Sequence, residues 1–332
     1  MKISVIVPTF NRNNTLLKCV ESLINQDLPK DFYEVIIVDD CSVESPFTFL
    51  ENILIINQNF KYIRHEINKG LASARNTGIL NSNNDIILFL DSDIVPDSSF
   101  VRTHLELHES CPNESIAVVS NLRYDNQFIT GSNFAYFINS RYLGNRSESE
   151  KKHINYEDLS PQYFGGGISS ARSNAIKAVG MFDTSFVKYG GEDEDIGYRL
   201  KQIGVRICFS YRAKAVHHDT ITLQRFKSKA IEWKRNAFPI ILQKQPHYFN
   251  LTNLKYLMPI NFAHDKISLL VKKIFYKISL NKLTVLILEQ ILLKTDSFKF
   301  LYSPLIIRAL SAGWFLNIKS SRSDEDSSSV WN

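Results

Sequence analysis

Two carboxylates one residue apart, Asp91 and Asp93, stand at the end of the apolar run DIILFLDSDIVPD, residues 85–97. Alternate side chains of an extended chain share a face, so the pair is expected to point the same way and to offer oxygen ligands to a divalent cation. Taken alone, such a pair equally well solvates a strand end or caps a helix. Other reactive groups stand farther along. Gly190-Gly191 precedes four consecutive acids, Glu192, Asp193, Glu194 and Asp195. One or two acids suit a helix N-terminus on dipole grounds, and four after a Gly-Gly ask for more. Asp39 and Asp40 close a second apolar run and can hydrogen-bond a base or ribose. Gly165, Gly166 and Gly167 let the backbone turn sharply or pass close to a ligand. His217 and His218 end the stretch AVHH, where a histidine without context is most often surface or core.

These residues need a scaffold, and the hydrophobic pattern predicts one. Residues 2–7 (KISVIV), 34–38 (EVIIV), 61–64 and the run ending at Asp91 read as strands, with IAVVS at 116–120 as another. Helical spacing of Leu16, Leu17, Val20, Leu23 and Ile24 predicts a helix over 14–25, and a second follows Gly70. Strand and helix alternating at these lengths imply an α/β fold with a mostly parallel sheet flanked by helices, whose ligands gather at the carboxyl ends of the strands. Residues 146–159 read as a mobile surface loop, residues 172–179 as a helix, and the acids from Glu192 as the start of another.

Bulk properties exclude several classes. The 332 residues are 44% hydrophobic, enough for one large α/β domain with an appendage or for two domains. The first strand-to-helix turn is PTFNRN, without the G-x-G-x-x-G of a dinucleotide site. Four dispersed cysteines indicate neither zinc nor a disulfide framework, so a reducing cytosol is expected. No leader precedes the first strand and no run of about 18 uncharged apolar residues suggests a membrane span. Residues 1–219 carry 22 Lys+Arg against 27 Asp+Glu, and residues 220–332 carry 17 against 7. The last third is therefore expected to meet something anionic. Nucleic acid is a poor partner, since no recognised binding motif accompanies the charge.

VIVPTFNR, IIVDDCS, NKGLASARNTG and FLDSD, in this order, resemble the nucleotide-sugar half of the inverting family 2 glycosyltransferases, which have the GT-A fold. The resemblance implies that Pro8, Thr9 and Asp40 border the uracil and ribose of a UDP-sugar. Arg75 would reach the nucleotide, and Asp91 and Asp93 would meet ribose and the metal. Arg12, Asp39, Asn68, Ser92, Gly166 and Gly167 fall within the same implied donor site. Farther on, Gly190-Gly191-Glu192-Asp193 and the later histidines resemble the acceptor side of chondroitin-polymerase and β-1,4-galactosyltransferase-like modules. The likeness makes Asp193 the general base, with Glu192 as alternative. It adds His217 to Asp93 as a ligand of Mn2+ or Mg2+, with Asp91 and His218 less favoured. Tyr189 stands where the galactosyltransferase-like relatives have tryptophan, which leaves the sugar open.

The expected organisation is a GT-A catalytic domain over 1–219, split into a nucleotide-sugar half (1–97) and an acceptor half (98–219). A basic helical region over 220–319 and a disordered tail over 320–332 complete it. In DKISLLVKKIFYKI, residues 265–278, lysines flank an apolar stripe; 283–293 and 305–318 are similarly apolar. Such helices suit an anionic membrane surface carrying a lipid-linked acceptor, or pack on the catalytic domain or a second subunit of a homo-oligomer. The function expected is metal-dependent, inverting transfer from a UDP-sugar to a glycan or lipid-linked glycan hydroxyl, in surface polysaccharide synthesis at the cytoplasmic side. The rivals are a nucleotidyltransferase and an inactive GT-A scaffold that binds glycan.

Overall fold

The computed structural model describes residues 1–245, 261–262, 266–279, 282–294 and 307. Apart from Ile307, the expected helix over 305–318, and all of the tail over 320–332, lie outside the described residues. Contacts divide the chain into two compact units, one of residues 1–128 and 139–220 and the other of 129–138 and 221–332.

The first unit is built on one mixed sheet. Its strands are β1 (Ile3–Thr9), β2 (Tyr33–Asp39), β3 (Phe60–Arg64), β4 (Ile86–Phe89), β5 (Ile94–Pro96), β6 (Ile116–Tyr124), β7 (Ser169–Arg172) and β8 (Arg206–His217). They lie in the order β3-β2-β1-β4-β7-β6-β8-β5. Every residue of β1, β2 and β4 is buried, which explains their unbroken apolar sequences: a central parallel strand has no wet face. The pairs β3–β2, β2–β1 and β1–β4 are parallel as expected. Beyond β4 the sheet is mixed: β7 runs antiparallel to both β4 and β6, β8 runs parallel to β6, and β5 returns antiparallel along β8. The pairing of β6 with β8 is irregular. Ser120 faces Ser210 and Asn121 faces Lys214, so Tyr211, Arg212 and Ala213 bulge from β8.

Helices α1 (Asn13–Ile24), α2 (Phe47–Ile56), α3 (Leu71–Leu80) and α4 (Phe100–Ser110) follow the early strands. Leu16, Val20 and Leu23 of α1 share a core with Leu50 of α2, with Phe100, Val101 and Leu105 of α4, and with alternate residues of β1, β2 and β4. The opposite alternates, Ile6, Ile87 and Phe89, form a second core with α3. Ala175 and Ile176 of α8 (Ser173–Ala178), and Ile196 and Leu200 of α9 (Glu192–Gln202), join that second core.

Three local expectations change. Arg172 ends β7 rather than opening a helix, because its neighbours pair with β4 and β6. The apolar run leading to Asp91 is strand only to Phe89; Ile94 N–H then bonds the Asp91 carbonyl and closes a turn. The stretch 146–159 is not simply loop. Between α5 (Asn126–Ile129), α6 (Asn133–Asn139) and Pro161 it forms a one-turn helix, α7 (Glu148–Lys151), with a Ser147/Glu150 capping box. Arg141 pairs with Glu150 at 2.6 Å, and that contact with the hydrogen bonds from Ser147 lowers the Glu150 pKa to about 2.

In the second unit α10 (Leu223–Lys244) is capped by the Thr222 hydroxyl and is followed by α11 (Ile267–Ser279) and α12 (Lys282–Lys294). Leu223, Val285, Leu292 and Ile307 make a small core with Phe134 and Phe137, and Lys227 pairs with Glu289 at 2.6 Å.

Candidate active site

Strand ends and the turns after them converge as the alternating pattern requires. Asp91 follows β4, Asp93 lies in the turn before β5, the glycine loop precedes β7, and His217 ends β8. The four acids begin α9, after Gly190 and Gly191 at φ 82° and 97°. In that left-handed region a side chain would be strained, so the chain can turn there and present Glu192 and Asp193 from the first turn of the helix.

Arg75, projecting from α3, is the centre of the cluster. Its side chain is 1% exposed. It donates to Asp193 Oδ1 at 2.8 Å, to Glu192 Oε1 at 3.0 Å and to Asp91 Oδ1 at 3.0 Å. Its guanidinium carbon lies 5.1 Å from the centre of the Phe182 ring. Burial alone would lower its pKa, yet the charges of Asp193, Asp91 and Glu192 raise it. Arg75 is thus permanently charged and shared by three carboxylates, one following β4 and two opening α9.

The glycine loop rests on this cluster. A Cβ on Gly166 would lie 2.2 Å from Asp193 Oδ1 and 2.6 Å from the Arg75 guanidinium carbon, and one on Gly167 would lie 2.1 Å from Asp91 Oδ2. Only glycine allows that approach. Asp91 N–H bonds the Gly167 carbonyl at 3.0 Å, and the Gly166 N–H faces Asp193 and favours its charged form. Burial pushes the Asp193 pKa up to about 7; Arg75 opposes the shift while Glu192 and Asp91 add to it. Burial also raises Glu192, and it takes Glu194 up to about 7 with help from the Asp193 charge. Asp195 turns away to Arg199, 2.7 Å distant.

Asp91 and Asp93 do not share a target. The turn at 91–94 replaces the extended geometry that would have aligned them, and Asp93 faces His217, with Oδ1 3.4 Å from Nε2. Asp219 joins them: one ligand atom from each of Asp93, His217 and Asp219 lies within 4.8 Å of the others. Two carboxylates and an imidazole are a donor set for Mn2+ or Mg2+. The His217 ring stacks 4.7 Å over Tyr124, and its Nδ1 lies 3.1 Å from the Tyr142 hydroxyl, which leaves Nε2 toward Asp93. His218 turns instead to Asp125, at 3.3 Å. Asp219 was not anticipated from sequence; its only signal was the His-x-Asp spacing at a strand end.

The other expected donor residues line the ends of β1 and β2. Thr9 is buried and its hydroxyl has no partner among the described residues. Arg12 lies 3.8 Å from Asp219. Asp39 is fully buried against Arg64 (2.7 Å), Tyr62 (2.9 Å) and Ser42 N–H. Asp40 accepts from the N–H groups of Lys69 and Gly70 and lies 2.7 Å from His65 Nδ1, while Asn68 bonds the Asp40 carbonyl. These carboxylates shape the loops here rather than standing open. Pro8 lies on β1, opposite Val38, and Ser92 is buried in the turn between the two aspartates.

Residues 4–178 match the sequence profile of glycosyl transferase family 2, more than half of the chain. The chain belongs to that family. A second profile, described as the N-terminal domain of galactosyltransferase, matches residues 145–228 and so takes in the Gly-Gly-Glu-Asp segment and His217. Among curated family relatives, the uncharacterized glycosyltransferase YfnE of Bacillus subtilis is 27% identical over 262 residues, 66% of this chain and 65% of that protein. Chondroitin synthase of Pasteurella multocida is 27% identical over 294 residues, 79% of this chain and 29% of that one. The chain therefore spans less than two thirds of the length of these relatives. Its fold resembles that of a Pyrobaculum calidifontis mannosyltransferase solved with GDP-Man and Mn2+, with TM-score 0.60, 16% identity and coverage of 98% and 88% of the two chains. It also resembles residues 1–349 of S. aureus TarS, with TM-score 0.51, 16% identity and coverage of 97% and 92%. Like these GT-A-like glycosyltransferases, this family 2 chain has a mixed α/β domain followed by helices.

Proposed function

We propose that the protein is a metal-dependent, inverting glycosyltransferase of GT-A fold that moves a sugar from a UDP donor to a hydroxyl of a glycan or lipid-linked glycan. The observation that carries this reading is the separation of two acidic groups. Asp91, Glu192 and Asp193 gather on Arg75, while Asp93 turns away to His217 and Asp219. One group is arranged for proton transfer and the other for a cation.

Asp193 is the general base. It is tethered by Arg75 and the Gly166 N–H, and with a pKa near 7 it takes the acceptor proton as the hydroxyl attacks. Glu192, 4% exposed, is less able to meet an acceptor. Asp91, on the other side of Arg75, faces the donor. Pro8, Thr9, Arg12, Asn68 and Ser92 border the nucleotide, and Asp39 and Asp40 hold the loops that do so. Bound by Asp93, His217 and Asp219, a divalent cation supplies positive charge against the departing diphosphate. The first unit, residues 1–128 and 139–220 rather than an unbroken 1–219, is the catalytic domain.

A peripheral site at the cytoplasmic face of a membrane fits the second unit. On α11, Ile267, Val271, Ile274 and Ile278 are all exposed at helical spacing, with Lys266, Lys272 and Lys277 beside them. On α12, Leu283, Leu286, Ile287 and Ile291 are exposed although Val285 and Leu292 already supply an inner face. A like-charged second copy would set lysine against lysine; an anionic lipid surface complements the stripe. Among the described residues no helix is long and apolar enough to cross a membrane.

The test is a panel of UDP-sugars assayed for donor hydrolysis and transfer with and without Mn2+. Metal-dependent turnover that Asp193→Asn abolishes supports the reading; UDP binding without turnover of any donor favours the inactive scaffold. Formation of a nucleotide-sugar from a nucleoside triphosphate and a sugar phosphate would favour the nucleotidyltransferase.

A further inference from the structure

Between α4 and the sheet lies a buried polar chain that no step above uses. His104 and His108, one turn apart on α4, are both fully buried. His108 Nε2 lies 2.9 Å from Ser170 Oγ, and Ser170 Oγ lies 2.8 Å from His104 Nδ1. His104 Nε2 lies 2.9 Å from Ser120 Oγ, which donates to the Ile168 carbonyl at 2.5 Å. The directions follow from proton counting. A carbonyl only accepts, so the one Ser120 proton goes to Ile168 and His104 must donate through Nε2. A neutral His104 then accepts at Nδ1 from Ser170, and Ser170, its proton spent, accepts from His108 Nε2. His108 Nδ1 is left as a lone pair without a partner among the described residues, as the structure has it. An extra proton on His104 would leave the Ser170 hydroxyl proton without an acceptor. Accordingly burial lowers the His104 pKa to about 3, with His108 contributing, and takes His108 to about 4, with Arg172 contributing.

The chain ends at Ile168, the last residue of the turn closed by Ile168 N–H on the Gly165 carbonyl. We infer that His108, Ser170, His104 and Ser120 are positioning residues: a one-way hydrogen-bond relay that fixes the Gly165–Ile168 loop on which Asp91 and Asp193 rest. It rests on the reading of Asp193 as base. The loop lies against both carboxylates, so a displacement of a few tenths of an ångström changes the Gly166 N–H contact to Asp193 and the Gly167 carbonyl contact to Asp91 N–H.

Ser120→Ala removes the terminal hydroxyl of the relay, leaving the Ile168 carbonyl only the Ser120 backbone N–H at 3.1 Å, and Ser170→Ala cuts the relay between the imidazoles, each at the cost of one oxygen atom. Ser82→Ala is the control, losing a buried hydroxyl bonded to the Ile79 carbonyl far from the loop. Two readouts are taken well below each Tm. Amide hydrogen exchange of residues 165–168 is expected to accelerate roughly tenfold in both relay variants and not in the control. The acid-limb pKa of kcat/KM is expected to rise by about half a unit, because the Gly166 backbone, which lies against Asp193 and favours its charged form, is displaced. Unchanged exchange in both relay variants overturns the relay, whatever the identity of the base. Faster exchange with an unmoved kinetic pKa overturns its link to Asp193. If Asp193→Asn stays active, the base assignment has failed while the exchange result still decides the relay.

Discussion

Arg75 and Asp193, 118 residues apart in sequence, meet at 2.8 Å, and through Arg75 the proposed base is joined to Asp91. In the proposed mechanism this one buried cation spaces the two ends of the reaction. Arg75→Met should leave three carboxylates without their counter-charge, at a cost of about 3–5 kcal/mol in stability. Arg75→Lys retains the charge but cannot fork to three oxygens, so it should fold better than the methionine variant and still lose most of kcat. Chemical denaturation and initial rates check both.

Replacing Asp193 by Asn keeps shape and removes the base, so kcat should fall by roughly 10² to 10⁴ with UDP affinity little changed. Calorimetry of UDP binding separates chemistry from binding. Near-normal kcat in Asp193→Asn together with a dead Glu192→Gln would move the assignment one residue back.

The rate should rise with pH through about 7 as Asp193 loses its proton. Stability should move the other way. The folded pKa lies above the ordinary value of 3.8, so this group's contribution is fully present below about pH 3.8 and is lost as pH rises through 7. At pH 8 Asp193→Asn should therefore melt at or above the wild-type temperature. A variant less stable than wild type at pH 8 would mean that the Arg75 contact outweighs the cost of burial.

Mn2+ should bind with a stoichiometry of one when UDP is present, and Asp93→Ala, His217→Ala and Asp219→Asn should each weaken it. His218→Gln should not, because that ring is turned to Asp125. Calorimetry reads this without turnover, and EDTA should abolish activity in the wild type. Equal Mn2+ affinity in Asp219→Asn would remove that residue from the ligand set.

Flotation with phosphatidylglycerol vesicles should carry the protein at low salt and fail with phosphatidylcholine alone or at high salt. Val271→Asp with Ile274→Asp should abolish it. A dimer in solution that the same pair of changes dissociates would favour packing between copies.

Much of the first unit was legible because parallel strands buried on both faces leave unbroken apolar runs, as in β1, β2 and β4. β7 was not: Ser169-Ser170-Ala171-Arg172 has no strand signature, and its Ser170 hydroxyl meets histidines 62 and 66 residues earlier while the Ser169 hydroxyl accepts from Gly165 N–H. The reactive residues were legible by type but not by grouping. Asp91 and Asp93 looked like one pair because the turn between them is invisible to alternation. Arg75 looked like a nucleotide contact because a side chain's depth is set by what packs over it, here the glycine loop and Phe182. Asp39 and Asp40 looked available for a ligand, whereas backbone N–H groups, Arg64 and His65 already claim them.

The three-residue bulge in β8 also has a bearing on descent. Side chains alternate beyond it, so His217 and His218 are alternates of one another with respect to Asp93. A one-residue deletion among Tyr211, Arg212 and Ala213, taken up by sliding of the strand, would set residue 218 where 217 now stands opposite Ile94. Because both are histidine, the imidazole at that place would survive the slip, while Asp219 would give way to Thr220. The tandem histidine thus buffers one proposed ligand against deletion in a loop-prone segment, whereas an insertion would bring Val216 to that place, and the neighbouring carboxylate has no such spare.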